Sequence, residues 1–271
     1  MAYTSGTATD YLDFLSTLAT FAAANGWNIL EQSSTRIYLR GEGVEGLDEI
    51  YVGAEAFGNA TSGYYNFSLA GSISWRDGRA LTAHPMSSGS RYLYLWNQPM
   101  KYWLVCHGGR IAGVVQIGTY YQSFYLGFTD ISVVATPAQL PYPLYIGASG
   151  ATSTNLYSTS GTGNAAFWSN RGDTGLIRLN AGDWISPQPT SFTEGQKANI
   201  YEGIDGAYLL DPIYLADPSR PANYGALDGF FRVSGRNQTA ENIITVGGVN
   251  HIVIPDVYLS TVGDYVAMRL S

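Results

Sequence analysis

A β-dominated α+β fold is what this sequence predicts: an N-terminal helix packed on an antiparallel meander, then sandwich or barrel-like antiparallel sheets. Three observations carry that expectation. A 3.6-residue apolar period occurs once, near the N-terminus, and gives way to a period of two. Turn-forming residues interrupt that alternation roughly every 8–12 residues, the spacing of an all-β sandwich or barrel. The 271 residues include 32 Gly and 21 Tyr, but only 13% are charged, about half the usual ~25%.

The helix reads TDYLDFLSTLATFAAANG from Thr9, with Tyr11, Leu12, Phe14, Leu15, Leu18, Phe21 and Ala22 on one stripe. Thr9 or Asp10 caps its first turn, and Asp10 and Asp13 suit the positive end of the helix dipole. Asn25-Gly26 is a stop, with Gly26 in the left-handed position. Strands follow from Trp27, over Arg36–Arg40 with Ile37 and Leu39 on one face, over Glu49–Glu55 and from Tyr64 to Leu69. GEGVEGLDE and GNATSG are the turns between them. Tyr92–Trp96, Met100–His107, Arg110–Gly118 and Tyr120–Phe128 are the middle strands, and His107-Gly108-Gly109-Arg110 is a hairpin turn.

Residues 135–147 hold three prolines and read as an extended connector. Residues 147–164, GASGATSTNLYSTSGTGN, read as a long surface loop or flexible excursion. Strands resume over 175–179, 183–185, 208–215, 229–233, 243–246, 251–254 and 265–270, with Val246-Gly247-Gly248-Val249 as a second hairpin turn. The expected organisation is 1–134, a connector over 135–164, and 165–271, or one continuous domain.

The composition excludes several classes. The net charge is −7, and Lys101 and Lys197 are the lysines, too few cations for a phosphate-binding surface. One cysteine, Cys106, allows no intrachain disulfide or cysteine metal cluster. No run approaches roughly 18 apolar residues, so no membrane span is expected. No secretory signal is expected either. A high Tyr content with few charges points to surfaces that meet other surfaces, because Tyr joins an apolar ring to a wet hydroxyl.

Catalytic templates are weakly matched. His84, His107 and His251 stand apart from one another, and Cys106 and His107 point to opposite faces of a strand, so neither a metal site nor a Cys–His pair is expected. Glu49 and Glu55 lie ~20 Å apart along one strand, too far for a glycosidase pair. Glu202 with Asp205 or Asp211 stays open as a pair, and loop carboxylates such as Asp211 or Asp217 stay open as calcium ligands. Trp75, Trp96, Trp103, Trp168 and Trp184 are core residues or sugar-stacking rings. The expectation is a non-enzymatic chain with no cofactor, no metal and no nucleic-acid partner.

The order of elements resembles a known family. AYTSGTATDYLDFLSTLATFAAANGW, IYLRGEGVEGLDEIYVGAEAF with GYYNFSLAG, YLYLWNQPMKYWLVCHGGRIAGVVQIGTYYQSFYLGF, ATPAQLPYPLYIGAS, and ALDGFFRVSG with AENIITVGGVNHIVIPDVYLSTVGDYVAMRL carry the likeness over roughly the full length. Together they are similar to a family of virion structural proteins from tailed bacteriophages and prophages, encoded among tail and baseplate genes. The resemblance implies a homo-oligomeric component of the tail tip or baseplate, with the collar, a decoration role or a fibre attachment point as the other positions, assembled in the host bacterial cytoplasm. Its implied partners are copies of itself in a symmetric ring and other tail or baseplate proteins. A host-surface or glycan-binding module is the alternative, and a glycan depolymerase the third reading. The contact residues expected on this basis are Tyr3, Tyr11, Phe14 and Leu18 in the opening and helix, and Tyr157 in the loop. The helix covering its own sheet is the competing expectation. Deleting residues 1–8 is expected to weaken assembly without unfolding the chain.

Overall fold

The computed structural model describes residues 1–42, 49–130, 144–161, 163–178, 183–190, 208–217 and 223–270. The first elements are β1 (Ala2–Ala8), α1 (Tyr11–Ala23), β2 (Asn28–Gln32), β3 (Arg36–Glu42), β4 (Glu49–Asn59), β5 (Tyr64–Ser72) and β6 (Arg91–Leu95). Then come β7 (Met100–His107), β8 (Arg110–Ile117), β9 (Tyr120–Phe128), β10 (Leu144–Ala148), β11 (Gly175–Arg178) and β12 (Trp184–Ile185). The last are β13 (Gln188–Thr190), β14 (Asp211–Ala216), β15 (Asn223–Arg232), β16 (Ile243–Val246), β17 (Val249–Pro255) and β18 (Tyr265–Arg269). They form a β-dominated α+β fold.

α1 forms where the apolar stripe places it. Asp10 caps it, its carboxylate accepting from the Leu12 and Asp13 amides at 2.8 and 2.9 Å. Asp13 reaches back to the Thr9 amide at 2.7 Å, a close variant of the reciprocal capping box. Gly26 takes φ +94° to end the helix. Trp27 then donates its indole N–H to the His107 carbonyl at 2.8 Å, tying the helix exit to a distant hairpin.

The strands make three antiparallel sheets. The first is the meander β2-β3-β4-β5-β6. The second has the order β1-β7-β8-β9-β10-β11-β12, and the third β13-β14-β15-β18-β17-β16. The second sheet is the central layer. Leu104, Cys106, Ile111, Val115, Phe124, Leu126 and Ile146 on one of its faces share a core with α1 and the meander. Val105, Ala112, Val114, Tyr125 and Tyr145 on the other face share a core with Ile213, Phe230, Ile254 and Met268 of the third sheet. Burial on both faces explains why WLVC, IAGVV and FYLGF read as apolar runs rather than clean alternation. The second core is built on aromatics: Trp168 is fully buried and stacks on Phe230 at 5.9 Å.

The segment expected to be a connector contributes β10, which pairs with β9 on one side and β11 on the other. One sheet thus draws strands from both flanking regions. Residues 135–143 of that segment lie outside the described residues. The segment after β10 is a loop, one of the two alternatives expected, and side chains of the core hold it. Buried Asn66 donates to the carbonyls of Ser153 and Asn155 at 3.0 and 2.9 Å. Gln122 and Asn164 both donate to the Tyr157 carbonyl, at 2.7 and 2.9 Å. Side-chain amides satisfy the carbonyls that a coil of Gly, Ser and Thr leaves unpaired.

At the hairpin between β16 and β17, Gly247 and Gly248 take φ +59° and +79°, the pair of left-handed residues that a type I′ turn needs. His251 follows, 3% exposed, its Nδ1 donating to the Val249 carbonyl at 3.0 Å. Burial, with Arg269 nearby, holds its pKa below the ordinary 6.5. The folded state therefore binds this proton less readily than the unfolded chain. Stability is full above pH 6.5 and falls as the pH drops below it, by up to about 1.4 kcal/mol per pH unit. Melting curves across that range should show this slope in the wild type and a flatter one in His251→Gln.

Candidate functional site

Five rings make a contiguous row: Tyr11 on α1, Tyr65 on β5, Trp96 just past β6, Tyr157 in the loop and Tyr120 opening β9. Successive centroids are 5.3, 5.8, 5.0 and 5.8 Å apart. All five are partly exposed. Tyr65 pairs with Leu95, the last residue of β6, and Trp96, the first residue past that strand, meets the Tyr65 ring edge-on at 86°. Tyr157 is held by the Gln122 and Asn164 amides on its carbonyl.

At Tyr120 the row meets a cleft of about 500 Å³, lined by Tyr120, Tyr121, Tyr258 and Tyr265 with Gln116, Thr119, Ser160 and Ser260 on its polar side. Asp256 sits beneath, 2% exposed, accepting from the Ala166 and Val257 amides at 2.7 and 2.8 Å. It also pairs with Arg171, whose Nε lies at 3.1 Å. Arg171 in turn lies 5.2 Å from the Tyr258 ring centroid. Burial, then the hydrogen bond to Glu241, push the Tyr121 hydroxyl up, and burial does the same for Tyr265. These tyrosines stay neutral at physiological pH, so the cleft presents rings and hydroxyls.

The second surface is the free edge of the central sheet. β1 is an edge strand, and among the described residues nothing pairs with its outer side. Its sequence, AYTSGTA, holds no charge and no Pro, and its seven-residue register on β7 has no bulge. Natural edges are normally protected by such devices. Beside it α1 shows Ser16, Thr20 and Ala23, also uncharged and exposed.

The most enzyme-like group is a charge cluster at the β7–β8 hairpin. His107 Nε2 lies 2.9 Å from an Asp228 carboxylate oxygen, and Arg110 Nη2 lies 3.2 Å from the same oxygen. The Gly109 amide donates to His107 Nδ1 at 3.1 Å, so Nε2 carries the proton and donates to Asp228. Arg110 is fully buried and also donates to the Asp228 main-chain carbonyl. Cys106 points to the other face of the sheet, into the core with α1. Burial pushes its thiol up to about 12, so it is a neutral thiol at physiological pH and a poor nucleophile.

Of the expected contact residues, Tyr3 is 38% exposed on β1, and Tyr11 and Tyr157 belong to the ring row. Phe14 and Leu18 are corrections. Both are buried in the chain's own core beneath α1, because the stripe that carries them faces the sheets. The tryptophans divide. Trp103 and Trp168 are core, Trp75 packs on Tyr51 and His84, Trp184 donates to the Met86 carbonyl, and Trp96 stands in the row. Glu49 and Glu55 bond the hydroxyls of Tyr51 and Tyr38. Glu202 and Asp205 lie outside the described residues. Among those described, no three His, Cys, Asp or Glu cluster as metal ligands, and no helix is long and apolar enough to cross a membrane. Sequence reading missed β1, whose AYTSGTA has no apolar alternation, and the cleft, whose tyrosines come from segments over 130 residues apart.

The geometry defines a β-dominated chain of three antiparallel sheets, whose described surfaces include three uncharged ones: an open strand edge, a ring row and a tyrosine cleft. No protein-family model matches the sequence, and no curated protein matches it.

Proposed function

We propose that this chain is a non-enzymatic structural component of a tailed-phage virion, at the tail tip or baseplate. In this reading it works by burying surfaces against copies of itself and against neighbouring tail or baseplate proteins. The order of sequence elements supports the virion assignment. The observation that carries the assembly role is the unprotected outer edge of β1. Its main-chain groups are a template for another strand, and the uncharged face of α1 beside it adds contact area without desolvating charge. A specific interface needs roughly 1,000 Å² or more, so edge and helix face act together.

Deleting residues 1–8 is not a clean test of this role. β1 is paired with β7 over its whole length and Ala8 is buried, so the deletion strips an edge from the central sheet. The better variant adds charge to the exposed positions Ser5 and Thr7. The S5K/T7K chain should melt like the wild type yet remain monomeric by light scattering at about 10–100 μM, where the wild type forms a closed ring. A wild-type monomer throughout that range, or rings in the variant, would overturn the edge contact. Imaging of intact particles tests the location, and absence of the chain from the tail end would overturn the virion reading.

A further inference from the structure

We propose that the tyrosine-lined cleft between the β8–β9 turn and the segment after β17 binds a neutral saccharide. This does not rest on the virion reading, because the cleft lies apart from the β1 edge and its ligand is a small molecule.

Two rings in the cleft, Tyr120 and Tyr258, are partly exposed. Tyr258 is backed by the Arg171 guanidinium, 5.2 Å from its centroid, and Arg171 is anchored on buried Asp256. Tyr120 abuts Tyr157 edge-on at 5.8 Å and 74°. Rings held from behind lose little freedom when a ligand lands on them. The C–H face of a pyranose is apolar and faintly positive, which matches the negative face of an aromatic ring.

Hydrogen-bonding capacity surrounds those rings. The Tyr258 hydroxyl accepts from the Gly161 amide at 2.9 Å and from Arg171 Nη1 at 3.2 Å, which leaves its own proton to donate. Gln116 spends its Nε2 on the Tyr121 hydroxyl at 3.0 Å, which leaves Oε1 as an acceptor. Thr119, Ser160 and Ser260 add exposed hydroxyls. Alternating donors and acceptors are what sugar hydroxyls require.

Charge selects the class of sugar. The charged lining residue is Asp256, and its oxygens are taken by Arg171 and two main-chain amides. The nearest carboxylate behind the lining, Glu241, accepts from the Tyr121 hydroxyl and pairs with Lys101, so among the described lining residues no unpaired charge faces a ligand, and a neutral one fits. The volume of about 500 Å³ lies within the ~300–1,000 Å³ of small-molecule sites.

The test is saturation-transfer NMR and calorimetry on the full chain with maltotriose, cellotriose, chitotriose and lactose, and with sialyllactose as the acidic control. At least one neutral sugar should bind with Kd in roughly the 0.1–10 mM range. Tyr120→Ala should weaken it about tenfold or more in a chain that stays folded. Tyr258→Phe, which removes one hydroxyl and keeps the ring, should weaken it about threefold and decides the matter if Tyr120→Ala does not fold. Binding of none of the neutral sugars, binding of sialyllactose alone, or affinity unaltered in the folded variants would overturn the proposal. So would a change in self-association in Tyr120→Ala, which would mark the cleft as a contact between copies.

Discussion

Phe14→Ala should lower the unfolding free energy by about 3–5 kcal/mol, the usual cost of deleting a buried aromatic ring. Phe14 is fully buried at the meeting point of α1 and two sheets. It stacks on Phe67 at 6.0 Å and 12°, lies 5.7 Å from Tyr102, and meets Phe124 edge-on at 6.4 Å. α1 has only thirteen residues, short enough that its stability depends on this packing rather than on intrinsic propensity. The melting temperature should fall by roughly 10 °C in a chain of this size. The measurement separates two roles that the sequence alone allows. A residue at a contact between subunits would leave the isolated chain's melting unchanged and weaken assembly. That outcome would contradict the burial described above.

The second large effect is expected at Arg110, where Arg110→Ala should cost about 3–5 kcal/mol. Its guanidinium is fully buried, bonded to both the carboxylate and the main-chain carbonyl of Asp228, and lies 5.8 Å from the Tyr125 ring centroid. Burial by itself would raise the Asp228 pKa. The His107 hydrogen bond and the Arg110 charge outweigh burial and hold it below the ordinary 3.8. Truncation removes one of those two partners and opens a cavity beside a carboxylate that is poorly hydrated. Replacing both partners, as Arg110→Met with Asp228→Asn, should recover much of the loss, because the penalty comes from the stranded charge. The sign with pH follows. A depressed carboxylate stabilises the fold above pH 3.8, and that contribution is lost as the pH falls through its folded value. Acid titration of stability should therefore be steeper in the wild type than in Arg110→Ala. Equal stability of the two chains at neutral pH would refute the role given to this ion pair.

Much of the local structure was legible beforehand. The helix stripe, the Asp10 cap, the Gly26 stop and the Gly-Gly hairpins are encoded within a few residues of where they act. The middle strands were readable for the same reason: Met100–His107 and Tyr120–Phe128 carry their β character in their own side chains. The candidate site was less legible. Tyr11 and Tyr157 were picked out as surface rings, but their alignment with Tyr65, Trp96 and Tyr120 depends on strand register and on two buried amides behind Tyr157. No sequence pattern near Tyr258 announces that Arg171 lies against it, 87 residues away.

By itself, then, the amino-acid order determined the kinds of element, their turns, and an uncharged, Tyr-rich character. Each of these follows from periodicity or from backbone freedom at single positions. The tertiary structure alone decided that AYTSGTA is an edge strand, that Phe14 and Leu18 face inward, that Arg110 finds Asp228, and that four tyrosines enclose a cleft. The reason is physical. A period of two says which residues share a face, but burial of that face is decided by which sheet packs over it, and strand pairing over long separations is chosen by the whole core.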